Sequence, residues 1–402
     1  MLNRTAHSIH FTVMNQQKNE LADVVRGFAN PLINQKKLSP QQIKVFYNIS
    51  QCRTAALGGH EEQCDCCGKK RYSYNSCGDR HCPKCQNTKQ AIWVEELMEK
   101  TLPVKHFHII FTVPHCLNDV CIWNANLYYN LLFKATWDTL RTFGYTTYGV
   151  ETGAIAVLHT WGQNLSLHPH LHCLVPAAGY SLKGQWKNIG KKGRYLYPID
   201  QLSSTFKGKF LDSLKRKLRK LNNQNSFASH INQAYSKPWV VHIEPSLAKA
   251  DHVIKYLGQY THRVAITNQR ILDVTDTHVK FIAKDYRDRA QIKPVWLEGQ
   301  EFLRRFALHI LPKRFVRIRR FGIYHHSTKQ NLDLQFAADE KSSLQKIERA
   351  KESKIERVKR LTGFDICLCP YCKKGRMIIK SELSRIRSPA GNLPSLLLAA
   401  CL

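Results

Sequence analysis

The stretch His168-Pro-His-Leu-His-Cys-Leu-Val-Pro176, HPHLHCLVP, decides the reading of this chain, because it sets three histidines on alternate positions ahead of an apolar run. In a β-strand successive side chains point to opposite faces, so His170 and His172 share one face and Leu171 takes the other. Two imidazoles on one face are half of a site for a divalent cation. Candidates for a third ligand are His168, Gln163, and His159 at the end of the apolar run GAIAVLH (153–159). If GAIAVLH and HLHCLVP pair as neighbours through the polar connection TWGQNLSLHP, His159 comes beside the other two. Pro169 disfavours regular ladder pairing at His168, which favours His159.

Outward from this hairpin, strands and helices mingle. HFHIIFTVP (106–114) is β-branched and aromatic and closed by proline, the pattern of a buried strand. A helix is expected around 125–142, a strand at WVVHIEP (239–245) and a helix from 246 to about 260. Residues 100–330 are therefore expected to form an α+β domain with a mainly antiparallel sheet flanked by helices. Residues 1–50 read as a helical, polar N-terminal arm, with Leu21, Val24, Val25, Phe28 and Leu32 near helical spacing and Ser39-Pro40 opening a second helix. RFVRIRRFG (314–322) is basic and alternating. Residues 335–402 form a basic tail, in which 339–361 has the spacing of an exposed amphipathic helix.

Charge narrows the partner. Sixty-one Lys and Arg against thirty Asp and Glu give a formal charge of +31 over 402 residues, which points to a polyanion. Nucleic acid and an anionic membrane surface both fit that balance, but no stretch approaches the roughly 18 apolar residues of a spanning helix and no secretory signal is visible, so the reading is an intracellular, cytoplasmic protein that spans no membrane.

In a reducing compartment, crowded cysteines are metal ligands sooner than disulfides. Cys52, Cys64, Cys66, Cys67, Cys77, Cys82 and Cys85 fall in residues 51–95, a zinc-binding module. The knuckles Cys64-x2-Cys67 and Cys82-x2-Cys85 are expected to close one structural Zn²⁺ site, since each gap lets two sulfurs reach one ion at about 2.3 Å. Cys52, His60, Cys77 and His81 make a second set, and Cys66 is an alternative to Cys67. The tail carries Cys367, Cys369 and Cys372, a knuckle whose fourth ligand is not evident. Lys69, Lys70, Arg71, Arg80 and Lys84, interleaved with Tyr72 and Tyr74, suit phosphate contact and base stacking.

The last constellation is SLAKADHVIKYLGQYTHRVAI, in which Tyr256 and Tyr260 stand at i and i+4 and project side by side from a helix whose apolar face is Leu247, Ala250, Ile254 and Leu257. Tyrosine is a covalent nucleophile where a metal polarises a phosphate.

Together these residues resemble the HUH endonucleases, and most nearly the two-tyrosine rolling-circle transposases of bacterial insertion sequences, which carry an N-terminal transposase zinc-binding domain. The likeness rests on ALGGHEEQCDCCGKKRYSYNSCGDRHCPKCQ, HIIFTVP, LHTWGQNLSLHPHLHCLVPAAG, YLGQYTHRVAITNQRIL and EFLRRFALHILPKRFVRIRRFG. It implies an HUH nuclease domain, a catalytic Mg²⁺ or Mn²⁺ on His170 and His172, and Tyr256 and Tyr260 as nucleophiles. Relaxases complete the site with an upstream histidine, which favours His159; initiators often use an acidic residue. The implied activity is metal-dependent cleavage and rejoining of single-stranded DNA at transposon ends through a 5′-phosphotyrosine, in a bacterial, nucleoid-associated setting. Two alternatives stand beside it: a plasmid replication initiator or relaxase of the same chemistry, and a non-enzymatic, zinc-stabilised DNA-binding protein.

Overall fold

The computed structural model of the chain describes residues 19–385, apart from 103, 191–195, 245–263, 286, 287, 289, 327 and 329–351. In these residues the chain forms α1 (Leu21–Asn34), α2 (Pro40–Gln51), β1 (Gly59–Cys64), β2 (Lys70–Tyr74), α3 (Pro83–Lys100), β3 (His106–Thr112), α4 (Asn118–Trp123), α5 (Ala125–Tyr148), the short β4 (Val150–Glu151), β5 (Gly153–Trp161), β6 (Leu167–Pro176), β7 (Ala178–Ser181) and β8 (Trp186–Asn188). There follow α6 (Ile199–Lys220), α7 (Ala228–Ser236), β9 (Val240–Glu244), β10 (Ile271–Val274), β11 (His278–Asp285), β12 (Gln291–Glu298), α8 (Gly299–Ala307), β13 (Ile318–Gly322), α9 (Lys354–Thr362) and β14 (Met377–Leu383). The fold is α+β with antiparallel sheets, as the sequence pattern implied.

The hairpin β5–β6 is the middle of a five-stranded antiparallel sheet of order β13-β5-β6-β3-β9. Alternation divides its faces. Ala154, Ala156 and Leu158 of β5, Leu171, Cys173 and Val175 of β6, Phe107, Ile109 and Phe111 of β3, and Val241 and Ile243 of β9 are buried in one core. Helices α5 and α6 cover that face with Tyr128, Leu132, Phe133, Phe206 and Phe210. Each large side chain buried there contributes roughly 1.5–3 kcal/mol. Helix α5 opens on Asn124, whose side chain accepts from the Leu127 N–H, and runs past the expected residue 142 to Tyr148, where Gly149 at φ +66° ends it in the left-handed conformation. The basic alternating run ends as β13, which pairs Ile318 with Val157 and Gly322 with Gly153.

The N-terminal helices are not a free arm. Leu21, Val24, Val25, Phe28 and Leu32 are buried in a second core with Phe281 of β11, Phe302 and Phe306 of α8, and Cys52, Cys82 and Cys85. Gly299 opens α8 because a Cβ there would lie 2.3 Å from the Phe28 ring. A separate three-stranded sheet, of order β14-β1-β2, joins the zinc module to the C-terminal segment. Among the described residues no helix is long and apolar enough to cross a membrane.

Candidate functional site

The opposite face of the central sheet carries the histidines. His159 of β5 stands directly across from His170 of β6, and His172 follows on the same face, opposite Val157. A bulge between His159 and Trp161 breaks the register just beyond the pair. Ligand nitrogens of His159, His170 and His172 lie within 4.8 Å of one another. The ring centroids are 4.4 Å apart for His159 and His172, 4.9 Å for His170 and His172, and 5.4 Å for His159 and His170. Trp161 stacks on His159 at 4.7 Å and 18°. His168 adds no nitrogen to this group, although its ring lies 5.0 Å from both His170 and His115.

Hydrogen-bond partners favour particular tautomers of His170 and His172. His170 Nδ1–H donates to the His168 carbonyl at 2.6 Å, which leaves its Nε2 with a lone pair. Burial, reinforced by the neighbouring His168 and His108, pushes His170 down to about 4, so its imidazole is neutral at physiological pH. Burial lowers His168 to about 4 as well. His172 Nδ1 lies 2.9 Å from His108 Nε2 in β3, and Glu244 Oε2 at the end of β9 lies 3.0 Å from His108 Nδ1. A carboxylate beside Nδ1 favours the proton there. His108 Nε2 then accepts from His172 Nδ1–H, and His172 Nε2 keeps its lone pair for an ion. His108 and Glu244 were not singled out from the sequence. The signal was present: His106-Phe-His108 repeats the alternate-histidine pattern of His170-Leu-His172 in the neighbouring strand.

Tyr256 and Tyr260 fall in 245–263, outside the described residues. Glu244, just before this segment, lies beside His108, and Val264, just after it, lines a pocket with Trp161.

The cysteines divide differently from the expected set. The structure does not bring Cys64 and Cys67 together with Cys82 and Cys85. Cys82 and Cys85, at the start of α3, instead join Cys52 at the end of α2 and Cys77, all four sulfurs lying within 4.8 Å. Cys85 Sγ is 3.5 Å from Cys52 and 3.7 Å from Cys77. Cys64 and Cys67 meet Cys369 and Cys372 from the tail. The reason is topological: β1 carries its knuckle to β14, a partner more than 300 residues away in sequence. His60 and His81 join neither group. His60 Nε2 lies 3.0 Å from Glu62, and His81 is held between Asp79 at 2.9 Å and the Leu311 N–H, which donates to its Nε2. Cys66 is exposed and outside both clusters.

Tetrahedral coordination at about 2.3 Å places sulfurs about 3.8 Å apart, close to the spacings around Cys85, so the set Cys52, Cys77, Cys82 and Cys85 suits a closed structural Zn²⁺. It lies within the stretch that known families recognise. A family described as "Transposase zinc-binding domain" matches residues 24–113, and one described as "Putative transposase" matches residues 153–331. The chain is 40% identical over 393 residues to "Putative transposase y4qJ" of Sinorhizobium fredii (strain NBRC 101917 / NGR234), covering 92% of this chain and 97% of that protein. It is 25% identical over 308 residues, 72% of each chain, to "Transposase for insertion sequence element IS801" of Pseudomonas savastanoi pv. phaseolicola. No solved structure matches. With a zinc-binding module of the matching kind, a transposase match over the sheet that carries the histidines, and a relative alike along nearly its whole length, the chain belongs to the family of insertion-sequence transposases of the IS91/IS801 type.

Proposed function

We propose that this DNA transposase cuts and rejoins single-stranded DNA at the ends of its element by the rolling-circle chemistry of the HUH endonucleases. The observation that carries the reading is the convergence of His159, His170 and His172 on the face of the sheet turned away from α5 and α6. The donor set fits a divalent cation. Neutral nitrogen donors suit Mn²⁺ better than Mg²⁺, with water and phosphate oxygens completing the shell. When bound, such an ion supplies positive charge at the scissile phosphate.

The rest of the chemistry belongs to the chain. His159, His170 and His172 would hold the ion, and His108 with Glu244 orients His172. The phenol oxygen of Tyr256 or Tyr260 attacks phosphorus as the bond to the 3′ oxygen breaks. That leaves a 5′-phosphotyrosine and a 3′-hydroxyl that receives the proton. Rejoining reverses the step, and the second tyrosine permits a further cut while the first end is still attached. The neighbours of this segment, Glu244 beside His108 and Val264 in the pocket of Trp161, support this role. Lys69, Lys70 and Arg71 with the exposed Tyr72 and Tyr74 on β2 support contact of the zinc module with DNA. The division of labour is then a DNA-holding module over 51–95 and a nuclease domain over 100–330, acting on nucleoid DNA.

The test is incubation of the protein with a labelled single-stranded oligonucleotide from the end of its own element and Mn²⁺. The expected result is an adduct that survives denaturation and is lost in the Tyr256→Phe, Tyr260→Phe double variant. Retention of DNA binding without any adduct under Mg²⁺ or Mn²⁺ would replace this reading with that of a zinc-stabilised DNA-binding protein.

A further inference from the structure

The tail knuckle Cys369-Pro-Tyr-Cys372 and the module knuckle Cys64-Asp-Cys-Cys67 are built alike. In each, the residue after the second cysteine is left-handed, Gly68 at φ +71° and Lys373 at φ +54°. Each closes with the same backbone bond: the Gly68 N–H donates to the Cys64 carbonyl at 3.1 Å, and the Lys373 N–H to the Cys369 carbonyl at 3.0 Å. In each, backbone N–H groups point at a sulfur. Cys66 and Cys67 donate to Cys64 Sγ at 3.4 Å, and Gly375 donates to Cys372 Sγ at 3.3 Å. Such donors stabilise a thiolate over a thiol.

The two knuckles face each other. Cys64 Sγ is 3.7 Å from Cys372 Sγ, Cys67 Sγ is 3.7 Å from Cys369 Sγ, and all four sulfurs lie within 4.8 Å. These separations match the edges of a tetrathiolate tetrahedron, about 3.8 Å for a metal–sulfur distance of about 2.3 Å. They are far beyond the roughly 2.05 Å of a disulfide, and none of these cysteines is oxidised. Cys64 and Cys369 are buried, and the halves pack too closely to admit a side chain between them: a Cβ on Gly375 would meet Cys64 Sγ at 2.6 Å and Cys66 Cβ at 2.5 Å.

Independent contacts hold the same two segments together. Strand β14 pairs with β1 from Gly59–Leu383 to Cys64–Met377. Asp65 Oδ1 accepts from the Arg376 N–H at 2.7 Å, and the Asp65 N–H donates to the Arg376 carbonyl at 3.1 Å. Lys69 lies over the Tyr371 ring at 5.1 Å. Arg357 and Arg360 of α9 reach Glu95 of α3 at 2.7 and 2.6 Å. The family matches end at 113 and 331, so the two tail ligands lie outside both.

We propose that Cys64, Cys67, Cys369 and Cys372 form a second structural zinc site, split between the two ends of the chain, which staples residues 352–385 onto the zinc-binding module. All four positions are filled by protein thiolates, so the ion has no open position and takes no part in strand cleavage. Its function is to make the tail a fixed part of the surface beside β2, where Arg71 donates to the Ile366 carbonyl and Lys69 lies over the Tyr371 ring. The site does not depend on the tyrosine chemistry.

Metal analysis of the purified full-length chain tests this, in a His170→Ala, His172→Ala background so that no ion on the sheet is counted. That chain should carry two zinc ions. A Cys369→Ser, Cys372→Ser variant should lose one and keep the one held by Cys52, Cys77, Cys82 and Cys85. A single ion in the parent, or two in the variant, overturns the proposal. A readout that needs no variant is alkylation of the native protein mapped by mass spectrometry. Cys64, Cys67, Cys369 and Cys372 should be protected together until a zinc chelator is added, while exposed Cys66 is alkylated with or without chelator. Alkylation of Cys369 or Cys372 at the rate of Cys66 in zinc-replete protein also overturns it.

Discussion

His108 Nε2 stands 2.9 Å from His172 Nδ1, and the contact links an imidazole of the histidine cluster to Glu244 at the edge of the sheet. The pair is nearly parallel, with ring centroids 5.1 Å apart and planes 10° from coplanar, so His108 fixes both the tautomer and the tilt of His172. Replacing His108 by Ala removes the group that holds His172 in that orientation. The expected cost is about 10–100-fold in Mn²⁺ affinity, the range for partners that orient metal ligands. His108→Gln, which can accept from His172 Nδ1–H, should recover part of it. Mn²⁺ titrations of the adduct-forming reaction measure this; a merely structural role for His108 would lower stability and leave the Mn²⁺ midpoint where it was.

Leu171 points the other way from its two histidine neighbours and is fully buried in the core beneath α5 and α6. Leu171→Ala should cost about 2–5 kcal/mol through the cavity it leaves. At a temperature where the variant is folded, Mn²⁺ affinity should change little, because the histidines sit on the opposite face. Chemical denaturation and metal titration on the same sample separate the two effects. Equal damage to both would mean that the faces are not independent.

Cys52, Cys82 and Cys85 share a core with Leu21, Phe28, Phe46 and Phe302. An ion on that cluster is therefore a structural part of the packing of α1, α2 and α8, not a local ornament of the knuckle. Removing it with a chelator, or by Cys82→Ser with Cys85→Ser, should lower the melting temperature by roughly 10 °C or more, since binding energy at such sites is folding energy. Restoring Zn²⁺ to the chelated wild-type chain should reverse the loss. Calorimetry with and without chelator reads it directly, and an unchanged transition would exclude a structural ion there.

What the sequence made legible follows from range. The apolar runs GAIAVLH and HFHIIFTVP, the alternating histidines of HPHLHCLVP and the helical spacing around 125–142 are local patterns, and each became the strand or helix it implied. The α+β class follows from them. Pairing of β5 with β6 is short-range as well, so the approach of His159 to His170 could be anticipated from the hairpin alone. The cysteine grouping could not. A two-residue gap brings one cysteine to its own partner, but which knuckles meet is decided by β1 pairing with β14 and by α2 ending beside α3, contacts with no local signature. The same holds for the N-terminal helices, whose apolar stripe was visible while its partner, the sheet and helix at 271–307, was not. His108 and Glu244 belong to two strands that reach the histidines only once the sheet order is known.

Acid should destabilise the fold well above the range where carboxylates titrate, and His309 gives the reason. It is buried, donates from Nε2–H to the Leu165 carbonyl at 3.1 Å, and accepts at Nδ1 from the Thr160 hydroxyl at 3.2 Å. Both ring nitrogens are satisfied only in the neutral form, and burial pushes the group down to about 4. His106, buried at the start of β3 with its Nδ1–H donated to the Val104 carbonyl, is likewise pushed to about 4 by burial. In the unfolded chain each returns to about 6.5. Between pH 6.5 and 4 the unfolded state therefore takes up protons that the folded state refuses, and stability falls as pH falls through that window. At pH 5 the loss should be about 2 kcal/mol for each imidazole relative to pH 7.5, because each tenfold rise in proton activity below pH 6.5 favours the unfolded chain by about 1.4 kcal/mol. His309→Gln can keep both hydrogen bonds and carries no titratable proton, so its stability should fall less steeply over the same window. Denaturant melts of the two chains at pH 7.5 and 5 make the comparison, and parallel slopes would remove His309 from the account of acid sensitivity.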